Sequence, residues 1–372
     1  MIKYTKAYIG LGSNIENRLT HLNFAIHQIF KTVGNINSVS RVYKTPAFGF
    51  EGHEFYNACI EIETLLSSIE LLKALQYIEK DMGRIKKSEV YENRPIDLDV
   101  LFFNNEVYNE QHLSIPHKHL QTRDFVLYPL CDIAPDYRHP VLHKTVNDLK
   151  SELPPTEIEI VDESLNLPKL PPIDLNYICI EGNIGAGKTT FAHMFALDYK
   201  AKLILERFKD NPFLPQFYED PKRFAFPTEM SFLADRHQQL VEDIAQLDLF
   251  SNLCIADYDL YKSLIFAEVT LQPEEFQLYK KIFNIIYKEI PKPELYIYFY
   301  QDTESLLQNI KKRGRSYEQN ISAKYLDKIN EGYLTYIRQQ TKFKTKLIDI
   351  SDKDFVENRK DYLDILNQIL NN

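Results

Sequence analysis

The chain has 372 residues, of which 44% are hydrophobic and 26% are charged, and its formal net charge is −9. This length suits two domains better than one, and the acidic balance argues against nucleic-acid or anionic-membrane partners, because both reward a basic surface. The N-terminus lacks the apolar stretch of a signal peptide, no apolar run approaches the ~20 residues that span a bilayer, and the four cysteines form no CxxC pair, so we expect a cytoplasmic protein without a disulfide framework.

The first half of the chain is predicted to mix strands and helices. Residues 7–11, 58–64 and 100–103 have the apolar or alternating character of strands, whereas residues 18–32 and 67–82 carry apolar side chains at helical spacing. A strand, a helix, two strands, a helix and a strand in this order predict a ferredoxin-like α+β sandwich.

Two aspartates stand at the start of the last of these strands. Asp97 and Asp99 are two positions apart, and side chains at i and i+2 of a strand lie on one face. Two carboxylates this close repel each other unless a cation lies between them, and Mg²⁺ is usually held by one or two carboxylates together with substrate phosphates. The pair therefore indicates a magnesium–phosphate site that Arg94 could complete, with a solvated strand-end pair as the alternative.

Four further blocks accompany this pair in order: YIGLGSNIENR, RVYKTPAFGFEGHEFYNACIEIET, LLKALQYIEKDMGRIKK and SIPHKHLQTRDFVLYPLCDIAPDYRHP. On these blocks, residues 4–150 resemble the hydroxymethyldihydropterin pyrophosphokinases of folate synthesis. The resemblance implies transfer of a pyrophosphoryl group from ATP to the pterin hydroxymethyl group, with release of AMP. It also implies two Mg²⁺ ions held by Asp97 and Asp99.

The same resemblance assigns the residues around the ions. The pterin pocket would be formed by Thr45, Pro46, Phe55, Asn57 and Phe125. ATP or its phosphates would be contacted by Glu79, Arg84, Arg94, His117 and Arg123, of which Arg94 and Arg123 are expected to act in catalysis. The chain departs from the family at Val90, where a basic residue is usual. That departure predicts weaker phosphate contacts and a lower turnover rate.

A proline-rich segment separates the two halves. Residues 152–174 contain five prolines, which remove backbone donors and disfavour regular elements. We therefore predict domains at residues 1–160 and 175–372, joined by a linker at residues 161–174. A proline-rich loop within one domain is the alternative.

The second half alternates strands and helices. Strands are predicted at residues 177–181, 203–205, 253–257, 295–300 and 347–350, with long helical segments between them. This alternation predicts a parallel sheet with helices on both faces, which is an α/β architecture.

The turn after the first of these strands reads GNIGAGKT and matches the pattern GxxxxGK[ST]. Glycines let backbone N–H groups surround a phosphate chain, and the helix that begins at Lys188 adds the positive end of its dipole. Lys188 should reach the outer phosphates, and Thr189 should bind Mg²⁺. The predicted ATP contacts are Gly182, Asn183, Gly185, Gly187, Lys188, Thr189 and Thr190.

Three later blocks narrow the class of P-loop protein: LILERFKDNPFLPQFYEDP, FAFPTEMSFLADRHQQ and IKKRGRSYEQNISAKYLDKINEGYL. On these blocks, residues 177–372 resemble the deoxynucleoside kinases, especially the bacterial deoxyguanosine and deoxyadenosine branch. The resemblance implies phosphorylation of a purine deoxynucleoside at its 5′-hydroxyl by ATP, with one Mg²⁺ ion. It also implies a homodimer formed through helices of this domain.

The family roles map onto named positions of this chain. Glu206 would take the proton from the 5′-hydroxyl, and the catalytic set would be completed by Lys188, Asp257, Arg313 and Arg315, the last two as lid arginines. Tyr218 and Glu318 would hold the 3′-hydroxyl, and Glu229 and Arg236 would read the base.

Two positions depart from the family pattern. Tyr258 follows Asp257 where an arginine is usual, which predicts a weaker Arg-assisted contribution to catalysis. Glu229 stands where Gln is usual, and because an ionised carboxylate only accepts hydrogen bonds, it should favour guanine, which offers two adjacent donors. The alternatives for this half are a nucleotide-binding regulator without catalysis and a kinase of another nucleoside or nucleotide.

Overall fold

The computed structural model describes residues 3–84, 92–110, 112–207, 211–244 and 253–371. The chain divides into two compact units, Met1–Leu170 and Pro171–Asn372. Val90, the position where the first half departs from its family, lies outside the described residues. None of the helices in the described ranges has the length and apolar character needed to cross a membrane.

The first unit is built on an antiparallel sheet. Its elements are β1 (Thr5–Ser13), α1 (Arg18–Thr32), β2 (Gly34–Val39), β3 (Val42–Thr45), β4 (Phe55–Thr64), α2 (Ser68–Asp81), β5 (Asp97–Phe103), β6 (Tyr108–Glu110), β7 (Leu113–Ile115), α3 (Asp124–Ile133), α4 (Val146–Ser151) and β8 (Glu159–Val161). The sheet has the order β5-β1-β4-β3-β8, β2 also pairs with β4, and β6 and β7 form a separate hairpin.

Both faces of this sheet are covered by helices. Along β1, Ile9 and Leu11 pack with α1 and α2, whereas Tyr8 points to the opposite face and packs with α3. This alternation follows from the two-residue repeat of a strand. The predicted α+β sandwich is therefore confirmed, with the added helices α3 and α4 on the second face.

The second unit contains a five-stranded parallel sheet. Its elements are β9 (Tyr177–Gly182), α5 (Lys188–Tyr199), β10 (Lys202–Ile204), α6 (Leu214–Glu219), α7 (Pro221–Ile244), β11 (Cys254–Ala256), α8 (Tyr261–Thr270), α9 (Pro273–Tyr287), β12 (Leu295–Tyr300), α10 (Thr303–Arg313), α11 (Ala323–Gln339), β13 (Lys344–Asp349) and α12 (Arg359–Leu370). The strand order is β10-β11-β9-β12-β13. Because β9 is central, its loop and the ends of β10 and β11 meet at one edge, where open α/β sheets bind ligands.

Part of the proline-rich segment packs against the first unit. Strand β8 pairs with β3, the Leu165 side chain is buried in the core under α1, and the Asn166 N–H donates to Asn23 Oδ1 at 2.8 Å. The sequence gives little sign of this packing, because a three-residue strand between prolines carries almost no periodicity. The domain limits 1–160 and 175–372 stay predictions.

Replacing Leu165 with Ala should destabilise the first unit by about 2 kcal/mol, because the truncation removes buried methyl groups and leaves a cavity. Calorimetry of the full chain should then show one unfolding transition lowered by roughly 4–8 °C and the other unchanged. Asp162→Ala, at an exposed position of the same segment, is the control. Unchanged transitions in the Leu165 variant would show that this segment contributes nothing to the first unit.

Candidate active sites

The first cleft opens at the edge where β1 and β5 pair. The empty space in and in front of it is about 670 Å³. Nine of the predicted site residues line it: Thr45, Pro46, Phe55, Asn57, Arg94, Asp97, Asp99, Arg123 and Phe125. His117 lies with Asp99 in an adjoining groove, and Arg84 reaches the cleft through an ion pair with Asp97.

The two aspartates lie opposite glycines of the neighbouring strand. Asp97 pairs in register with Gly12, and Asp99 with Gly10, so no side chain of β1 stands beside the carboxylates. A Cβ at Gly12 would come within 3.1 Å of Asn57 Oδ1. The sequence therefore keeps open the space in front of both carboxylates.

Arginines balance the charge of this pair. Asp97 accepts from Arg84 at 2.5 Å on one oxygen and pairs with Arg94 at 2.6 Å on the other. Burial and the nearby Asp97 raise the pKa of Asp99 to about 7, against the charges of Arg123 and Arg84. The site thus concentrates negative charge that a cation would relieve, next to guanidiniums suited to phosphates.

Glu79 supports this arrangement from below. Its buried carboxylate accepts from the backbone N–H of Leu98, at 2.8 Å, and from the Arg84 guanidinium. Glu79 therefore orients both Arg84 and the backbone between the two aspartates. The sequence assigns Glu79 to ATP binding and does not predict this positioning role. His117 lies 4.0 Å from Asp99, and burial with the charge of Arg123 lowers its pKa to about 4. It is therefore neutral at pH 7.

Aromatic rings and an amide form the rest of the cleft. Asn57 donates to Thr45 Oγ1 at 2.8 Å, which fixes the orientation of the buried amide. The Arg94 guanidinium lies 5.3 Å from the ring centre of Phe55, and Arg123 lies 5.5 Å from that of Phe125. Such a pocket suits a flat heteroaromatic group with hydrogen-bonding edges.

Asn14 is a site residue that sequence reasoning missed. Its side chain is buried, donates to Asn93 Oδ1 at 2.6 Å and accepts from the backbone N–H of Arg94 at 2.7 Å. These bonds fix the backbone that carries Arg94. The sequence feature that could have identified Asn14 is its position in the block YIGLGSNIENR, directly after β1.

The second cleft lies at the carboxyl edge of the parallel sheet, and the empty space in and in front of it is about 810 Å³. It brings together ten predicted residues from distant parts of the chain: Lys188, Thr189, Glu206, Tyr218, Glu229, Arg236, Asp257, Arg313, Arg315 and Glu318, with Gly185 from the loop. Three of them follow β9, β10 and β11 directly, as the parallel topology requires.

The loop after β9 has the backbone that its glycines allow. Gly185 and Gly187 have φ values of 88° and 74°, and a Cβ at Gly187 would lie 2.7 Å from the Phe355 ring. Lys188 Nζ donates to the carbonyls of Gly182 and Asn183 at 2.8 and 2.9 Å. Burial, together with the charge of Lys262, lowers the pKa of Lys188 to about 8.

Thr189 and Asp257 form a pair suited to Mg²⁺. The threonine hydroxyl donates to Asp257 Oδ2 at 2.5 Å, and the other carboxylate oxygen accepts from the backbone N–H of Glu206 at 2.8 Å. No group of three or more His, Cys, Asp or Glu side chains that could hold a metal occurs among the described residues. The hydroxyl and carboxylate oxygens of Thr189 and Asp257 fit an ion that completes its shell with phosphates and water.

Glu206 has cations on both carboxylate oxygens. Oε1 accepts from Arg236 Nε at 2.9 Å and Nη2 at 2.5 Å, and Oε2 accepts from Lys262 Nζ at 2.6 Å. Burial alone would raise the pKa of Glu206, but the charges of Lys262 and Arg236 hold it well below its usual range. Arg236 also donates to Ser263 Oγ at 2.7 Å, and its base-reading role stays a prediction.

Glu229 is 3% exposed on α7, where Thr270 Oγ1 lies 3.1 Å from its Oε1. Within the described residues, its buried Oε2 has no hydrogen-bond partner. Burial raises the pKa of Glu229 to about 7, against the charge of Arg236. The group is thus poised to accept hydrogen bonds from a ligand in the cleft.

The two arginines predicted to form a lid make an ion-pair cluster with Glu318. Glu318 is buried and accepts from both Arg313 and Arg315, the latter at 3.0 Å. Tyr218 lines the same cleft from α6. Tyr258, by contrast, is fully buried behind the site and does not line the cleft.

A glycine-rich loop at the end of the central parallel strand, a half-buried carboxylate beside it and two arginines that line the same cleft define the second unit as a P-loop phosphotransferase. The family model for deoxynucleoside kinases matches residues 178–372, and that for 7,8-dihydro-6-hydroxymethylpterin-pyrophosphokinase matches residues 8–135. The chain therefore belongs to both families, one in each half.

Individual relatives agree with this division. A deoxyguanosine kinase of Bacillus subtilis is 39% identical over 190 residues, which are 50% of this chain and 92% of that protein. A 2-amino-4-hydroxy-6-hydroxymethyldihydropteridine pyrophosphokinase of Aquifex aeolicus is 36% identical over 146 residues, 39% of this chain and 90% of that protein. A solved deoxyadenosine kinase of M. mycoides with bound dATP is 26% identical, with a TM-score of 0.45, over 51% of this chain and 97% of its own.

Proposed function

We propose that this chain is a bifunctional enzyme. One half transfers pyrophosphate from ATP to 6-hydroxymethyl-7,8-dihydropterin, and the other phosphorylates a purine deoxynucleoside at its 5′-hydroxyl. The observation that carries the proposal is that each family's charged residues converge in a cleft of their own. ATP is the phosphate donor for both reactions, and we place the enzyme in the cytoplasm, where ATP is available and thiols stay reduced.

In the first cleft, the pterin would lie between Phe55 and Phe125, with its ring edge on Asn57. Asp97 and Asp99 would hold two Mg²⁺ ions, which when bound neutralise the triphosphate. Arg94 and Arg123 would hold the phosphates in line with the hydroxymethyl oxygen. That oxygen loses its proton to water as it bonds to the β-phosphorus, and the bond from that phosphorus to the oxygen of the α-phosphate breaks, so that AMP leaves with the electron pair.

In the second cleft, Glu206 would accept the proton of the nucleoside 5′-hydroxyl as the oxygen bonds to the γ-phosphorus of ATP. Thr189 and Asp257 would hold one Mg²⁺ ion, which when bound neutralises charge on the ATP phosphates. Lys188 would contact the outer phosphates. Arg313 and Arg315 would leave Glu318 to follow charge on the transferred group, and Glu318 with Tyr218 would take the 3′-hydroxyl.

The first test measures ADP formation with each of four deoxynucleosides and, separately, AMP formation with the pterin. Glu206→Gln should lower nucleoside phosphorylation by about 10²–10⁴-fold, because the variant lacks the proton acceptor, and should leave the pterin reaction unchanged. Asp99→Asn should lower the pterin reaction and leave nucleoside phosphorylation unchanged. Loss of both reactions in either variant, with unchanged unfolding, would contradict two separate sites.

We further propose that deoxyguanosine is the favoured nucleoside. Glu229 lines the same cleft as Glu206, and its buried Oε2 has no hydrogen-bond partner among the described residues. An ionised carboxylate can accept from both N1–H and the N2 amino group of guanine, whereas adenine offers one donor beside an acceptor. The B. subtilis relative is named a deoxyguanosine kinase, which agrees with this assignment.

This assignment predicts a pH-dependent preference. Since the pKa of Glu229 is about 7, the acceptor form is the minor species at pH 6 and the major one at pH 8. The ratio of kcat/KM for deoxyguanosine over deoxyadenosine should therefore rise roughly five- to tenfold across this range. In Glu229→Gln the ratio should fall and become independent of pH. A constant ratio in the unmodified enzyme would refute the role given to Glu229.

We also propose a homodimer formed through the second unit. On α9, Leu278 and Ile285 are 52% and 71% exposed, and their seven-residue spacing puts them on one face. Helix α7, which packs against α9, adds the exposed Val241. Exposed apolar side chains on two helices that pack together are typical of a subunit interface.

Ile285→Glu should convert the dimer to a monomer, because burying an unpaired carboxylate in an interface costs several kcal/mol. Light scattering after size-exclusion chromatography measures the mass. Lys280→Glu, at an exposed position on the opposite face of α9, should leave the mass unchanged. A monomeric unmodified protein would exclude the dimer.

A further inference from the structure

The residue after Asp257, where an arginine is expected, supplies no cation to the second cleft. Tyr258 follows β11 where related kinases carry arginine, and its ring is fully buried in the core beneath the cleft. The cation comes instead from α8. Lys262 lies within the first turn of that helix, lines the cleft and pairs with Glu206 at 2.6 Å.

The two cations on Glu206 are held differently. Arg236 donates twice to Oε1 and once to Ser263, so its planar guanidinium is fixed by three bonds. The Lys262 ammonium makes one hydrogen bond within the described part of the chain, to Oε2. Since an ammonium on a flexible stem exchanges partners more readily than a bidentate guanidinium, Lys262 is the partner that can leave.

A nucleoside hydroxyl needs a carboxylate oxygen of Glu206. Both oxygens are occupied by cations, and a carboxylate so stabilised accepts a proton poorly. Departure of Lys262 frees Oε2 and strengthens the base in the same step. Lys188 and Arg313, the residues assigned to the phosphates, line the same cavity as Lys262, so a phosphoryl group bound there is a second partner for the ammonium.

We propose that Lys262 is a catalytic residue whose ammonium moves from Glu206 to the transferring phosphoryl group when the nucleoside binds. This inference rests on the kinase function proposed above. Lys262 lines the same cleft as Lys188 and Glu206, so the phosphate-binding lysine and the base share one cavity with its ammonium.

The step balances without a further reactant. The 5′-hydroxyl proton goes to Glu206 Oε2, and the oxygen lone pair forms the new bond to the γ-phosphorus. The bond from that phosphorus to the bridging oxygen breaks, and its electron pair leaves on ADP. Lys262 keeps its proton throughout and offsets charge on the equatorial oxygens.

The test compares Lys262→Met with Lys262→Arg in the full chain, using deoxyguanosine and Mg²⁺-ATP. Lys262→Met should lower kcat by about 10²-fold with a smaller change in KM, because it removes a contact made mainly in the transition state. Lys262→Arg should recover part of this loss. Lys280→Met removes an exposed ammonium of α9 and is the matched control. Pterin pyrophosphorylation and thermal unfolding report whether each variant is folded.

A second comparison separates contact with phosphate from support of the base. If Lys262 only held Glu206, adding Lys262→Met to Glu206→Gln would cost nothing more. Contact with the phosphoryl group predicts a further loss of about tenfold or more in kcat. Wild-type kcat in Lys262→Met, or no further loss in the double variant, overturns the inference alone. Absence of nucleoside phosphorylation by the unmodified chain overturns the proposed function as well.

Discussion

Compensation of partly buried negative charge is the constraint on which both clefts depend. Glu206 lies between Arg236 and Lys262 with 14% of its side chain exposed, and Asp97 lies between Arg84 and Arg94 with 17% exposed. Removing one partner of such a pair destabilises the site, because the remaining charge has lost part of its water without a substitute. A polyphosphate therefore enters a site already rich in cations, and the carboxylates keep those cations ordered until it arrives.

The two folds bring the charged residues of each cleft together in different ways. In the second unit, parallel strands bring their carboxyl ends to one edge, so residues after β9, β10 and β11 meet without any local motif joining them. In the first unit, antiparallel pairing puts glycines of β1 opposite Asp97 and Asp99, and the carboxylates gain space because no Cβ stands beside them. The second cleft is thus formed by the topology of the sheet, and the first by the absence of side chains at two glycines.

The sequence predicted those features whose signal is local. Helix α1 was predicted at residues 18–32, where the structure has it, because its apolar residues recur at helical spacing along 15 residues. The phosphate-binding loop and the aspartate pair were likewise found, since each lies within a few residues. Lys262 was missed because its partner Glu206 is 56 positions away, and Asn14 because its bond to Asn93 spans 79. Leu165 was missed for the related reason that β8 has only three residues and pairs with β3.

Whether a buried polar group lines a cleft distinguishes a group that can bind a ligand from a structural one better than its degree of burial does. Tyr258 and Asp259 each bury a side-chain oxygen without a partner among the described residues, as Glu229 does. An unsatisfied buried polar group costs about 1–3 kcal/mol wherever it lies. Only Glu229 of the three lines the cleft, so only its cost can be recovered by a ligand. The free energy lost at Glu229 on folding is therefore available to a ligand that donates hydrogen bonds, whereas Tyr258 and Asp259 do not line this cleft.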